Sequence, residues 1–415
     1  MRSPPTIWRG GHVLTKARDL RTGRSVWQGK RPPRFPRQGI TEDTQSDVVI
    51  IGAGISGAMQ ADALSEAGFS VLVVDRRGPV RGSTPASTAL LQYEVDQPLT
   101  KLTRQIGEEA AIRAWRRSRL AVDGLAARMK ALSIAPVIRR DSLYLAGDVL
   151  DANGLAREGE ARRHAGLETA LLDAAALKEH FGIDREAALL GYDNLEADPV
   201  VLATGFLRAA LGRGARLAWP VEIVDLDAKP RSVDLRTKEG HRIRCRHLVF
   251  CTGYELPFGE MPKGHGVLST WALATAPQKR SLWPRCCFIW EASDPYLYMR
   301  TTRDGRIICG GEDEDFVDED KRDALIGQKV EALRRKLSKL LPGVSTEVDY
   351  AWTGTFGAST TGLPTIGPMP DLRNCWTVMG FGGNGITYSR IGAEIVRTGL
   401  LGKGDPDAEL YAFRS

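Results

Sequence analysis

The chain has 415 residues, 42% of them hydrophobic and 26% charged, which fits a folded protein of two or three domains and excludes a disordered one. Its 57 basic and 51 acidic side chains leave a net charge of +6, which permits an anionic partner without demanding one. No apolar run approaches the roughly 18–20 residues that span a bilayer, and the 44 glycines follow no collagen-like period.

Basic side chains are densest at the start, at Arg2, Arg9, Lys16, Arg18, Arg21, Arg24, Lys30, Arg31, Arg34 and Arg37, among prolines at 4, 5, 32, 33 and 36. Residues 1–45 lack hydrophobic periodicity and read as an extended arm that covers part of the body. The arm has no apolar core of the kind a secretory signal needs. Six cysteines (Cys245, Cys251, Cys286, Cys287, Cys309 and Cys375) form no C-x-x-C pair and no metal-like spacing with histidine. Several fall in strand-like apolar runs, where a free buried thiol is usual. The expectation is a reducing, cytoplasmic compartment and no metal. No basic stripe of the nucleic-acid-binding kind follows the arm, so a nucleic-acid partner is not expected.

Ordered patterning begins at residue 47. The run DVVII at 47–51 is short, apolar and β-branched, as a buried parallel strand is. The loop Gly52-Ala53-Gly54-Ile55-Ser56-Gly57 follows, then a helix to about residue 67, Gly68 as its stop, and a strand at 71–75. Gly52 permits the tight turn, Gly54 the close approach of a pyrophosphate, and Gly57 the packing of helix on sheet. The pyrophosphate then meets the positive end of the helix at Ile55 and Ser56. Asp75 ends the second strand, where its carboxylate accepts hydrogen bonds from ribose hydroxyls. With every part in order, this is a dinucleotide-binding β-α-β unit. Asp75 repels a 2′-phosphate, while Arg76 and Arg77 keep one formally possible.

Residues 101–135 and 155–181 read as helices with Ala/Leu stripes. A helix at 199–212 and strands at 215–226, 232–236 and 242–251 follow. Residues 263–312 read as β-structure and 320–340 as a helix. The chain closes with a strand at 376–379, a glycine loop and a helix at 386–400. The pattern implies an α/β fold with an α+β substrate domain: a Rossmann-like nucleotide-binding domain of separated segments (46–100, 198–262 and 360–405) and a sheet-based substrate domain threaded between them (101–197 and 263–359).

Four segments, in order, resemble the D-amino-acid oxidase-like (DAO) family of FAD-dependent oxidoreductases, which includes glycine oxidase, sarcosine oxidase and D-amino-acid dehydrogenases. They are DVVIIGAGISG with VLVVDRR; GSTPASTAL at 82–90; LVFCTG at 248–253; and GLPTIG at 362–367 followed by GFGGNGIT at 380–387. The resemblance spans residues 46–403 and implies FAD. By that likeness Ser83, Thr84, Thr88 and Ala89 belong to a loop that passes over the flavin, and Thr252 and Gly253 lie beside the phosphates. Gly367, Gly382, Gly383, Asn384, Gly385, Ile386 and Thr387 form the far loop and helix start, and Val221 offers backbone contacts to adenine. A glycine loop with a helix N-terminus at 385 also suits the flavin edge where negative charge builds on reduction, with Asn384 as a helix cap.

The family's carboxylate anchors are missing. Their positions fall on Phe356, Thr387 and about Gln92, and the position that carries a cysteinyl–flavin bond falls on Gly354. The resemblance therefore implies noncovalent FAD and oxidation of the C–N bond of a small-molecule amine or amino-acid derivative. Hydride passes to the flavin, which O2 or another acceptor reoxidises. A free α-amino acid is disfavoured as substrate unless Arg300 substitutes. Residues 290–302 supply the candidate catalytic face: alternation along a strand puts Tyr296, Tyr298 and Arg300 on one side. The acidic run 312–315 reads as a solvated strand end, with a metal- or polyamine-attracting site as the alternative. The family also leaves open a 2-hydroxy-acid or opine dehydrogenase, a tRNA-modifying enzyme and a non-catalytic FAD-binding subunit.

Overall fold

The computed structural model describes residues 17–29, 33–255, 264–278 and 282–413. Two sheets organise them. The first is the nucleotide sheet, with strands in the order Thr365–Pro368, Cys375–Met379, Arg242–Phe250, Thr44–Ile51, Val71–Val74 and Arg216–Ala218. All its neighbours after the first pair are parallel. The central strands are Val/Ile/Leu-rich and buried, because helices cover the sheet as they must when β-α-β crossovers build it. The helices Ile55–Glu66, Pro199–Gly212 and Gly385–Leu400 share this core. A hairpin of Ile223–Ala228 and Val233–Thr237 extends the edge of Arg242–Phe250.

The second sheet has ten strands. Its main path runs Arg21–Gly23, Val348–Ser359, His265–Thr275, Ile307–Glu314, Leu297–Thr301, Phe288–Glu291, Ile138–Leu145, Ala187–Glu196 and Leu90–Leu91, with Thr169–Asp173 beside Ala187–Glu196. The helix pair Glu319–Ala324 and Ile326–Leu340 covers it, burying Leu333, Leu337 and Leu340. The mixed α/β architecture agrees with the sequence expectation.

The sequence pattern misreads residues 155–181 and passes over the strands Ile138–Leu145, Ala187–Glu196 and Val348–Ser359. Residues 155–181 are not continuous helix: the strand Thr169–Asp173 separates Ala152–His164 from Ala174–Phe181. Asp173 ends that strand and caps the next helix by accepting from the Ala176 N–H. The twelve-residue strand Val348–Ser359 lies on no predicted strand, yet it pairs with His265–Thr275 along nearly its whole length. Where it is described, the arm covers part of the body, as expected. Arg21–Gly23 pairs antiparallel with Val348–Ser359, and Trp27 is buried. Residues 1–16 and 30–32 of the arm lie outside the described residues.

Among the described residues no helix is long and apolar enough to cross a membrane, and no cluster of His, Cys, Asp or Glu could hold a metal ion. All six cysteines are unpaired.

Candidate active site

One cleft begins at the first β-α turn of the nucleotide sheet and ends against the second sheet. Gly52 leaves its strand at φ +111°, and a Cβ there would lie 2.3 Å from the Cys251 carbonyl oxygen. A Cβ on Gly57 would lie 1.8 Å from the Gly52 carbonyl oxygen. The second glycine therefore lets the helix close on the turn, as the spacing predicts. The N-cap residue Gly54 supplies no side-chain cap, so the N–H groups of the first turn remain largely available to an anion. The exception is the Ile55 N–H, which donates to Thr84 Oγ1 at 3.0 Å.

Asp75 faces the same cleft. Its carboxylate accepts from the N–H groups of Ala53, Arg77 and Gly78 at 2.8, 2.7 and 2.7 Å. Burial pushes the carboxyl up and these three bonds oppose the shift. A carboxylate has about four acceptor sites, so one remains for a ribose hydroxyl. Arg76 and Arg77 are committed elsewhere. Arg76 pairs with Glu255 at 2.6 Å and Glu222 at 3.6 Å, and Arg77 Nη1 donates to Glu255 Oε2 at 2.6 Å. A 2′-phosphate would meet cations already neutralised beside an anionic Asp75, so the pocket fits the adenosine of FAD better than that of NADP.

The far loop fits the flavin end in the same terms. The helix Gly385–Leu400 starts at the cleft, and Asn384 does not cap it with its side chain. The expected capping is corrected: Asn384 Nδ2 donates instead to the Glu94 carbonyl at 2.5 Å. The first-turn N–H groups gain no side-chain acceptor and keep their capacity for negative charge. The loop already carries one anionic acceptor, since the Gly383 N–H donates to Asp96 Oδ2 at 2.6 Å.

The loop at 83–89 is held by its carbonyls. Trp352 Nε1 donates to Ala86 O at 2.8 Å, Trp27 Nε1 to Ser87 O at 2.7 Å, and Arg300 Nη1 to Ala89 O at 2.5 Å. Two tryptophans and a guanidinium from three distant segments thus fix the segment expected to cover the flavin.

Gly52, Gly54, Ile55, Ser56, Asp75, Arg76, Ser83, Thr84, Thr88, Ala89, Val221, Thr252, Gly253, Gly382, Gly383, Asn384, Gly385, Ile386, Thr387 and Tyr298 all line this cleft. Gly57 and Gly367 do not: Gly57 packs behind the turn, and Gly367 pairs with Thr377 inside the sheet. Arg300 does not line it either, which corrects the expected catalytic face. Two residues along a strand advance the chain by about 6.6 Å, enough to carry Arg300 past the end of the cleft. It is 1% exposed, donates to Ala197 O at 3.0 Å and to Thr301 O at 3.1 Å, and stands 3.6 Å from Glu196. Trp27 and Phe288 flank its guanidinium, and burial pushes it down to about 10. Arg300 is a positioning residue for the loop, not a group that meets substrate.

At the flavin end the walls are Asp96, Tyr254, Thr270, Tyr296, Tyr298, Phe356 and Phe381. The rings of Tyr296 and Tyr298 lie 5.3 Å apart. Burial pushes both phenols well above their ordinary range, so they stay neutral. Phe356, Gly354 and Thr387, three positions where the family places a cation or a cysteine, line the cleft as they are. Gln92 is buried and its carbonyl accepts from Thr387 Oγ1 at 2.8 Å. No Lys, Arg or His lines this end among the described residues. Sequence reasoning missed Asp96, Tyr254 and Phe381. Asp96 lies only a few residues past the flavin loop, in QYEVD, and that nearness was the available signal.

A fold of two sheets sharing a dinucleotide cleft defines an FAD-linked oxidoreductase. The chain belongs to the DAO family, FAD dependent oxidoreductase, whose model matches residues 47–398. It is 25% identical over 387 residues to gamma-glutamylputrescine oxidoreductase of Escherichia coli, covering 91% of this chain and 87% of that protein. Its fold matches glycine oxidase from Geobacillus kaustophilus with a TM-score of 0.72 at 19% identity, over 89% of this chain and 98% of that one. It matches L-proline dehydrogenase from P. horikoshii with a TM-score of 0.75 at 20% identity, over 89% and 97%. FAD is the cofactor, and the chain is an enzyme, an FAD dependent oxidoreductase.

Proposed function

We propose that the protein oxidises the C–N bond of a small-molecule amine without a carboxylate. The observation that carries this is the flavin end of the cleft: aromatic walls, one carboxylate and, among the described residues, no cation to receive a substrate carboxylate. When bound, FAD supplies the acceptor for a hydride from the amine carbon, and O2 or another acceptor restores it. The chain's own part is positioning and exclusion of water. Neutral phenols at 296 and 298 offer hydrogen bonds to the amine nitrogen, and Phe356, Phe381 and Tyr254 desolvate it, which favours the neutral amine that gives up hydride.

Gly52, Gly54, Ile55, Ser56, Asp75 and Thr252 would hold the adenosine and phosphates, Val221 would meet the adenine through its backbone, and the loops at 83–89 and 382–387 would hold the flavin. Binding is noncovalent in this reading, supported by Gly354 at the position of the cysteinyl link. The two sheets support a division into FAD-binding segments 46–100, 198–262 and 360–405 and substrate segments 101–197 and 263–359. The unpaired cysteines support a reducing, cytoplasmic location.

The test is an anaerobic screen of the purified yellow protein against pools of amines, amino acids and hydroxy acids. Bleaching of the flavin absorbance by amines alone is the expected result. Bleaching only by hydroxy acids, or by none of the pools, would overturn the reading.

A further inference from the structure

Resting on the amine-oxidation reading, we propose that Asp96 anchors a positively charged nitrogen of the substrate, so that the substrate class is amines with a second, cationic nitrogen and no carboxylate. Oδ2 of Asp96 accepts from the Gly383 N–H at 2.6 Å. Asp96 lines the cleft and is exposed to it, and no Lys, Arg or His among the described residues pairs with this carboxylate. A carboxylate on a cleft wall that carries no cation of its own attracts one. The surrounding protein pushes its carboxyl up to about 6. A cation arriving with the substrate supplies the missing partner.

Three further observations point the same way. Tyr254, Tyr296, Tyr298, Phe356 and Phe381 line the same end of the cleft, and aromatic faces attract cations. A second carboxyl, Asp313, stands close to Thr270, Tyr296 and Tyr298, with one oxygen buried and without a hydrogen-bond partner. The nearby Lys329 is engaged by Glu314 at 2.6 Å and Glu312 at 3.8 Å, so the run 312–315 neutralises its lysine outside the cleft and leaves Asp313 unpaired.

The second nitrogen follows from reactivity. The nitrogen next to the oxidised carbon must be neutral, and a carboxylate against it would stabilise the protonated, unreactive form. Binding energy spent there favours the ground state over the transition state. A cationic nitrogen elsewhere in the molecule satisfies Asp96 without that penalty.

Among the described residues, Tyr144, Tyr254, Tyr296, Tyr388 and Asp313 feel the charge of Asp96, and the Gly383 N–H donates to it. The tyrosines are all pushed above their ordinary range, Tyr254 up to about 12, and Asp313 is pushed up to about 7. Near neutral pH only the two carboxyls change charge, and both become anionic as pH rises, so cation binding strengthens in that direction.

The holoprotein, with FAD bound, is titrated with tert-butylammonium and with pivalate, two ions of one shape and opposite charge that carry no hydrogen on the substituted carbon. Binding is read by flavin absorbance and by calorimetry. At about pH 8 the ammonium binds at least about tenfold more tightly than pivalate, and the advantage shrinks below about pH 6. Asp96→Asn removes the preference and Asp96→Glu retains it. If Asp96→Asn does not fold, the isostere pair and its pH dependence in the unaltered protein decide. Tighter binding of pivalate, or ammonium binding indifferent to both pH and Asp96→Asn, overturns the anchor. Reduction of the flavin by diaminobutane at low concentration should exceed that by butylamine about tenfold; equal rates overturn the second nitrogen. Bleaching by amines together with tighter pivalate binding would sink the anchor alone. Ammonium binding without bleaching by any amine would sink the oxidation reading alone.

Discussion

The two ends of the cleft are built from different material. At the nucleotide end the contacts come mainly from backbone: the turn at 52–57, the first-turn N–H groups, and the carbonyls and N–H groups around Asp75. At the flavin end the walls are side chains brought from six separated places, at 96, 254, 270, 296–298, 356 and 381. A backbone cradle tolerates no added atom, while a side-chain wall tolerates exchange and so sets specificity. If that contrast is right, one methyl group at the first end must do more damage than the loss of a polar group at the second.

Gly57→Ala tests the first half and carries the largest expected effect. Its Cβ would fall 1.8 Å from the Gly52 carbonyl oxygen, and that atom is backbone, which cannot step aside. Overpacking of this severity costs about 3 kcal/mol or more. The variant should be colourless or insoluble, measured as the ratio of FAD to protein after purification. A yellow, stable Gly57→Ala protein would break the comparison.

Arg300→Met comes next. It leaves Glu196 to Arg140, which holds it at 2.6 Å, and strips the carbonyls of Ala89 and Ala197 of their guanidinium donor. Leaving buried carbonyls without a donor costs about 2–3 kcal/mol, read as a lower unfolding midpoint and weaker FAD retention. Since Arg300 does not line the cleft, the fraction of variant that keeps FAD should retain the substrate KM of the unaltered protein. A large rise in KM alone would restore Arg300 to the substrate.

Tyr298→Phe is milder still. The ring stays and the hydroxyl goes, so packing and FAD affinity should hold while the rate of flavin reduction falls about tenfold, by loss of one hydrogen bond to the nitrogen. Stopped-flow reduction measures the rate, and an unchanged rate would remove Tyr298 from the reaction.

The same contrast decides what could be read without coordinates. The nucleotide end is local in sequence: strand, glycines, helix and Asp75 sit within one short run, and each glycine answers to one backbone demand. The flavin end is assembled by pairing across the sheet, and alternation along one strand cannot say where that strand leaves the cleft. That is why Tyr298 and Arg300 read as equivalent and are not. Val348–Ser359 is different. It lies second from the sheet edge and does alternate, with Val348, Tyr350, Trp352, Phe356 and Ala358 on one face, but Gly354 and Gly357, residues that strands disfavour, interrupt the run. Asp96 was in plain view, but only the cleft shows that, among the described residues, no cation pairs with it.

The last expected effect, confined to one range of pH, concerns Asp313, and it tests whether the flavin end holds negative charge against the interest of stability. Burial pushes this carboxyl up from its ordinary value to about 7, with Asp96 adding to the shift and Lys329 opposing it. In the unfolded chain the proton leaves at about 4. Between those values the unfolded state is charged while the folded state still holds its proton, so the unfolded state binds fewer protons and stability declines as pH rises. Below about pH 4 both states are protonated, and Asp313→Asn should unfold at the same temperature as the unaltered protein. Above about pH 7 the unaltered protein bears the full cost of a confined charge, and Asp313→Asn should be the more stable by up to about 4 kcal/mol. Thermal unfolding of the two holoproteins across this range measures the difference directly. Curves that run parallel would mean that Asp313 is solvated like an ordinary strand-end carboxylate, and the flavin end would then owe its charge to Asp96 alone.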